Sequence, residues 1–119
     1  MADTPAPLST QVFQILLSLV DADLHGYAII QDIAERTEGE IRLTASTLYA
    51  ALPRLLDAGW VEESPKRPKT DDDPRRRYYR LTPAGREAAR AEAQRLERHA
   101  AMARRKRLLP PMRPIPKES

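Results

Sequence analysis

The amino-acid sequence predicts a mainly α chain with a small β-ribbon, and three features carry that prediction. Apolar residues recur at helical spacing in three successive segments between Leu8 and Ala58. Two short alternating stretches follow, Trp60 to Glu63 and Arg77 to Leu81. A long Ala-, Arg- and Glu-rich stretch, opened by Thr82-Pro83 and closed by Pro110-Pro111, comes last. The predicted order is three short helices, a ribbon and one long helix.

Residues 1–7, polar and Pro-containing, are expected to form a flexible lead. In the first helix Leu8, Val12, Ile15, Leu16, Leu19 and Val20 make one stripe, with Ser9 or Thr10 as its cap. Phe13 and Leu17 fall off that stripe and give the helix a second apolar face, more than a monomer's surface helix needs. Asp21 to Gly26 reads as a polar turn. The second helix, about Tyr27 to Thr37, turns Ile30, Ile33 and Ala34 inward, with Gly39 as a stop signal. Ile41-Arg42-Leu43 alternates in the manner of a strand.

Thr44 is placed to cap a third helix that runs to about Ala58. Leu48, Leu52, Leu55 and Leu56 form its core side, and Gly59 falls at the left-handed position after its end. Pro53 lies inside it, where a missing N–H and a crowded turn predict a kink or an early 3₁₀ ending. The connector between the two ribbon strands, residues 64–76, is too long for a tight hairpin and predicts a ribbon with a mobile tip. Thr82 then caps the last helix, with Pro83 at its first position. This helix is expected to reach Leu108 or Leu109, where Pro110 and Pro111 stop it. Within it Ala89, Ala93, Leu96, Ala100 and Ala103 follow 4-3-4-3 spacing, a heptad-like seam suited to pairing two copies.

The net charge of +3 hides a strong asymmetry. Residues 1–63 sum to −7, residues 64–82 to +4 and residues 83–119 to +6. Such a distribution points to nucleic acid or another acidic surface. With no cysteine, disulfides, thiolate metal sites and a Cys nucleophile are excluded. The only histidines, His25 and His99, are far apart, and the four glycines form no phosphate loop, so no enzyme is expected. Asp71, Asp72 and Asp73 alternate direction on a loop without supporting ligands, and neither a metal nor another cofactor is expected. No apolar run approaches the length of a membrane span, no signal peptide is visible, and a cytoplasmic location is the expectation.

Three short helices, a basic ribbon and a long helix is the order of a winged helix-turn-helix module. In such a module a helix enters the major groove while the ribbon lies along the neighbouring backbone or minor groove. The residues carry a closer likeness. His25-Gly26-Tyr27-Ala28-Ile29, Thr47-Leu48-Tyr49-Ala50-Ala51-Leu52 with Arg54-Leu55 and Gly59, and Arg76-Arg77-Tyr78-Tyr79-Arg80-Leu81-Thr82-Pro83-Ala84-Gly85-Arg86 resemble the PadR family of transcriptional regulators, in its short form with a single C-terminal helix. The likeness covers about residues 8–100. It implies a homodimer on palindromic operator DNA, usually as a repressor, joined mainly by the C-terminal helix with help from the first.

Four segments are expected on this basis. They are a flexible lead at 1–7, a winged helix-turn-helix at 8–82, a dimerisation helix at 83–109 and a Pro-rich basic tail at 110–119. In the third helix Thr44, Ser46, Thr47 and Tyr49 are candidates for double-stranded DNA, since hydroxyls near a helix N-terminus suit phosphate. Capping serves Thr44 equally well. Arg54 is the helix's one basic residue and lies near the far end, so base reading would rest on hydroxyls, thymine methyls and DNA shape.

The wing offers Lys66, Arg67, Lys69, Arg75, Arg76, Arg77 and Arg80. Strand alternation puts Arg77, Tyr79 and Leu81 on one face, and Arg76, Tyr78 and Arg80 on the other. With Leu81 in the core, Tyr79 should lie inside, Tyr78 and Arg80 outside. Phe13, Leu17, Ala89, Ala93, Leu96, Ala100 and Ala103 are the expected dimer contacts. The tail cluster Arg104-Arg105-Lys106-Arg107 suits phosphate, a membrane surface or an acidic protein equally. The rival to DNA binding is a winged helix used for protein–protein contact, and the sequence names no effector.

Overall fold

The computed structural model describes residues 6–65 and 73–112, and the elements follow the predicted order with one addition. They are α1 (Thr10–Ser18), β1 (Leu24–His25), α2 (Gly26–Arg36), α3 (Ala45–Asp57), β2 (Val61–Ser64), β3 (Tyr78–Leu81) and α4 (Pro83–Arg105). The chain is thus mainly α, a winged helix-turn-helix followed by a long C-terminal helix. Its sheet is antiparallel in the order β1-β3-β2, so the strand nearest α4 is central.

Each helix begins on a side-chain acceptor that satisfies one of its free N–H groups. Ser9 Oγ accepts from the Val12 N–H (3.1 Å), Thr44 Oγ1 from Thr47 (3.0 Å) and Thr82 Oγ1 from Gly85 (3.0 Å). For α2 the cap is His25, whose Nδ1 accepts from the Ala28 N–H at 3.1 Å. That bond requires an unprotonated Nδ1. Three helices end in the same paired bonds around a left-handed residue. After α3 that residue is Gly59 (φ 77), as its position predicts. After α2 it is Glu38 (φ 53), with Gly39 one place further on. After α4 it is Arg107 (φ 64), and the Leu108 N–H bonds the Ala103 carbonyl at 2.9 Å. The last helix therefore stops at Arg105, short of Leu108, Leu109 and the prolines expected to end it.

The core joins α1, α2, α3 and the sheet. Ile15, Leu16, Ile29, Ile33, Leu48, Leu52 and Val61 are fully buried, each contributing roughly 1.5–3 kcal/mol. Arg36 binds α2 to α1 at the edge of this core. Its guanidinium donates to Asp32 Oδ2 (2.7 Å), Gln14 Oε1 (2.8 Å), the Gln14 carbonyl (3.1 Å) and Ser18 Oγ (2.8 Å).

Several expectations change. Ile29, not Ala34, is the deep contact of α2 beside Ile33. Leu56 is 38% exposed and belongs to the outer side of α3. Pro53 does not end α3 early; the helix runs on to Asp57. The proline lies on the exposed side, where water can serve the Tyr49 carbonyl that its missing N–H leaves. Ile41-Arg42-Leu43 forms no strand; Leu43 is buried and the Ile41 N–H bonds Thr37 Oγ1 instead of a neighbouring strand.

The predicted polar turn before α2 contains β1, which pairs Leu24 with Tyr79 and His25 with Tyr78. On the other side of β3, Ser64 lies opposite Tyr78 and Val61 opposite Leu81. Tyr78, expected outside, is therefore buried between two strands. His25 meets its ring edge-on at 5.3 Å, and Ser64 Oγ donates to Asp23 Oδ2 at 2.6 Å, tying β2 to the approach to β1.

Gly85 lies where α4 touches the start of the wing. A methyl group there would collide with the Trp60 carbonyl oxygen and crowd Leu81 Cδ1 at 2.8 Å. Because backbone cannot swing aside, Gly85→Ala is expected to lower stability by about 3 kcal/mol, read as a shift in the urea unfolding midpoint.

Candidate nucleic-acid interface

The third helix presents its N-terminal half outward. Ser46 and Tyr49 are exposed and Thr47 is half-buried. Thr44 is committed to the cap, because its hydroxyl also donates to Thr47 Oγ1 at 3.0 Å. Arg54 is exposed in the last turn, away from these hydroxyls in the helix. Tyr49, one turn along, is held by a close approach. A methyl group on Gly26 would collide with its hydroxyl oxygen, so the glycine at the start of α2 makes room for the phenol.

The wing arginines divide into two groups. Arg75, Arg76 and Arg77 are exposed in the segment that leads into β3. Arg80 is engaged across the sheet, donating to Glu62 Oε1 at 2.7 Å from the neighbouring strand. Lys66, Arg67 and Lys69, the remaining wing candidates, lie outside the described residues, as do Asp71 and Asp72. Asp73 accepts from the Arg75 N–H at 2.9 Å and from its Nε at 3.4 Å. The backbone hydrogen bond from Arg75, with its guanidinium beside it, holds the Asp73 carboxyl below the usual carboxylate value.

Folding brings two of these groups together. Tyr49 from α3 and Arg75, Arg76 and Arg77 from the wing line a hollow of about 280 Å³. His25, Gly26, Tyr27, Asp73 and Tyr79 complete its walls. Tyr27 is 60% exposed and Tyr49 54%, large phenols that the core does not claim. His25 and Tyr27 were not among the candidates read from sequence. Their only signal there was membership of the His25-Gly26-Tyr27 segment. Ser46 and Arg54 do not reach the hollow. Burial raises the Tyr79 hydroxyl above its ordinary value of 10.0, so it stays protonated in its wall.

The helix expected to pair copies is only partly free. Ala89 is buried in the chain's own core, so it is already covered. Beyond it Ala93 is exposed, Leu96 is 41% exposed, and Ala100 and Ala103 are half-covered. Phe13 and Leu17 of α1 are half-buried. Between α4 and the start of α1 lies a second hollow of about 430 Å³, lined by Pro7, Leu8, Trp60, Ala88 and Arg95 among others. Trp60 thus packs on the core with one edge and faces this hollow with another.

Glu92 sits at its wall, buried, accepting from the Leu8 N–H (3.1 Å) and from Arg95 Nε (2.9 Å) and Nη2 (2.5 Å). Among the described residues no group of acids and histidines can hold a metal, and no helix is long and apolar enough to cross a membrane.

With this geometry in place, comparison with known proteins identifies the class. The family model described as "Transcriptional regulator PadR-like family" matches residues 15–91, and the chain belongs to that family. Its members are transcriptional regulators and not enzymes. A solved transcriptional regulator from Clostridium thermocellum is similar at 27% identity and a TM-score of 0.65, over 82% of this chain and 96% of that one. Bacillus subtilis PadR, solved in complex with operator DNA, shares the fold at 21% identity and a TM-score of 0.58, over 96% of this chain and 54% of that one. An uncharacterized protein from Lysinibacillus sphaericus is 34% identical over 71 residues, which span 60% of this chain and 63% of the relative's length.

The Glu92 contact sets a pH dependence. The hydrogen bonds from Arg95, joined by that from Leu8, hold the Glu92 carboxyl below its ordinary value of 4.5. A carboxyl depressed on folding stabilises the protein above its unfolded pKa, and that contribution disappears as pH falls through the folded value. Urea unfolding at neutral and at acid pH is therefore expected to show a smaller acid loss for Glu92→Gln than for the unaltered protein.

Proposed function

We propose that the chain is a repressor that binds a palindromic operator as a homodimer, through α3 and the wing. The observation that carries this reading is the shared hollow, where Tyr49 of the third helix and Arg75, Arg76 and Arg77 of the wing face one another's space. Donors from two elements on one surface suit a duplex, whose phosphates pass both the groove-bound helix and the ribbon. The operator complex of Bacillus subtilis PadR supports the same partner.

In this reading residues 8–82 bind DNA, 83–109 pair the subunits and 110–119 form a basic tail. Lys66, Arg67 and Lys69 extend the contact along the backbone, while Ser46, Thr47 and Tyr49 approach the groove. Thr44 acts by holding the start of α3, and Arg80 contacts DNA only by exchanging Glu62 for a phosphate. Since α3 carries a single arginine, discrimination among sequences rests on hydroxyl contacts and on DNA shape. Half-sites then lie about one helical turn, ~34–36 Å, apart. Phe13, Leu17, Ala93, Leu96, Ala100 and Ala103 supply the subunit contact. The small alanines bring helices close but bury little area each, which makes the aliphatic and aromatic members decisive.

The test is binding to the DNA upstream of the chain's own gene at two salt concentrations. Sequence-selective binding that weakens with salt is expected; no binding at low salt would refute the operator reading. Combining Arg76→Ala with Arg77→Ala is expected to weaken binding alike across sequences and to reduce the salt slope by about 2. For the subunit contact, Leu96→Glu is expected to give a monomer by light scattering, and an unchanged dimer mass would refute the seam.

A further inference from the structure

We propose that the hollow between α2, α3 and the wing is a seat for a single phosphodiester of the DNA backbone, with Tyr27 as a donor and Asp73 as a built-in competitor. This rests on the DNA-binding reading and adds two residues to it. Tyr27 rises from the first turn of α2, Tyr49 from the second turn of α3, and Arg75 and Arg77 from the entry to β3. Their donors are two phenol hydroxyls and two guanidinium forks, and both side-chain types bind a phosphate oxygen well.

The walls behind them are fixed. Tyr79 is buried, His25 caps α2 through Nδ1, and Gly26 leaves the Tyr49 hydroxyl room against the start of α2. A rigid wall with exposed phenols on its rim fits an anion that arrives from solvent, and not a buried metabolite. Tyr27 is 60% exposed, so the core does not claim its phenol.

Among the described residues Asp73 is the one acid that lines the hollow, and it holds Arg75 by the backbone N–H and by Nε. A bound phosphate has to share Arg75 with that carboxylate and accept its repulsion. Replacement by asparagine keeps the Oδ1 that bonds the Arg75 N–H while removing the charge. The site therefore predicts a gain of affinity from one variant and a loss from the other, a pair that misfolding does not produce.

Fluorescence anisotropy with two labelled duplexes, the upstream sequence and a scrambled version, tests this. Tyr27→Phe is expected to weaken binding to both by at least about tenfold, as for one hydrogen bond to a charged group. Asp73→Asn is expected to strengthen both by about threefold at low salt, the gain shrinking as salt rises. Wild-type affinity in Tyr27→Phe, or a loss in Asp73→Asn, overturns the seat while DNA binding stands. Failure of the unaltered protein to bind either duplex overturns the seat together with the reading beneath it. A calorimetric titration with inorganic phosphate separates the source of the group. Saturable phosphate binding that Tyr27→Phe abolishes, with the affinity for both duplexes unchanged by that variant, assigns the seat to a free phosphate compound and overturns the duplex; weakening of both duplexes by Tyr27→Phe assigns it to the DNA backbone whether or not free phosphate also binds.

Discussion

Thr82 is the point on which the architecture turns. Its N–H donates to the Trp60 carbonyl (3.0 Å), its hydroxyl donates to the Gly59 carbonyl (2.5 Å), and the same oxygen accepts from the Gly85 N–H (3.0 Å). One residue thus joins the end of α3, the start of β2 and the first turn of α4. The close approach of Gly85 to Trp60 is the steric side of the same joint. Because α4 leaves from this joint, the direction of the long helix is fixed relative to the wing, and so is any surface formed by two copies of it.

The joint also fixes the base of the surface that the wing presents. With β3 anchored at its end by Thr82 and flanked by β1 and β2, its tyrosines are clamped on both sides. The arginines that precede it emerge from a fixed base, beside the start of α2 and the exposed phenol of α3. Positive charge is not concentrated on α3, which carries one arginine; it is carried by the segment that leads into β3. Under the proposed reading, affinity and discrimination therefore fall to different elements.

Much of this was legible in the residues. The caps Thr44 and Thr82, the choice of Ser9 or Thr10 for the first cap, the left-handed Gly59 and the stripe of Ile15, Leu16, Leu48, Leu52 and Leu55 obey local rules that hold wherever the chain goes. The misses share a cause. β1 is two residues long and has no pattern of its own; it exists because β3 offers an unpaired edge. Tyr78 was placed outside because alternation treats β3 as half of a two-stranded ribbon, whereas β1 adds a neighbour whose His25 ring stands against Tyr78 on that face. Leu56 was assigned inward by spacing, yet α3 buries a narrower side. Ala89 looked like part of a seam between copies because periodicity does not say which partner a face meets.

In the candidate site the division is the same. The sequence by itself determined the kinds of group available, basic residues in the wing and hydroxyls at the start of α3, because composition and helix caps are local properties. It also determined the family, through three short segments in the right order. Only the tertiary structure decided which groups share a surface. It lined one hollow with Tyr27, Tyr49 and Arg77, committed Arg80 to Glu62, and buried Glu92 against Leu8. The physical reason is that these pairings span 18 to 84 positions of sequence where bonds record them, and such distances are closed by packing of the core and not by any local preference.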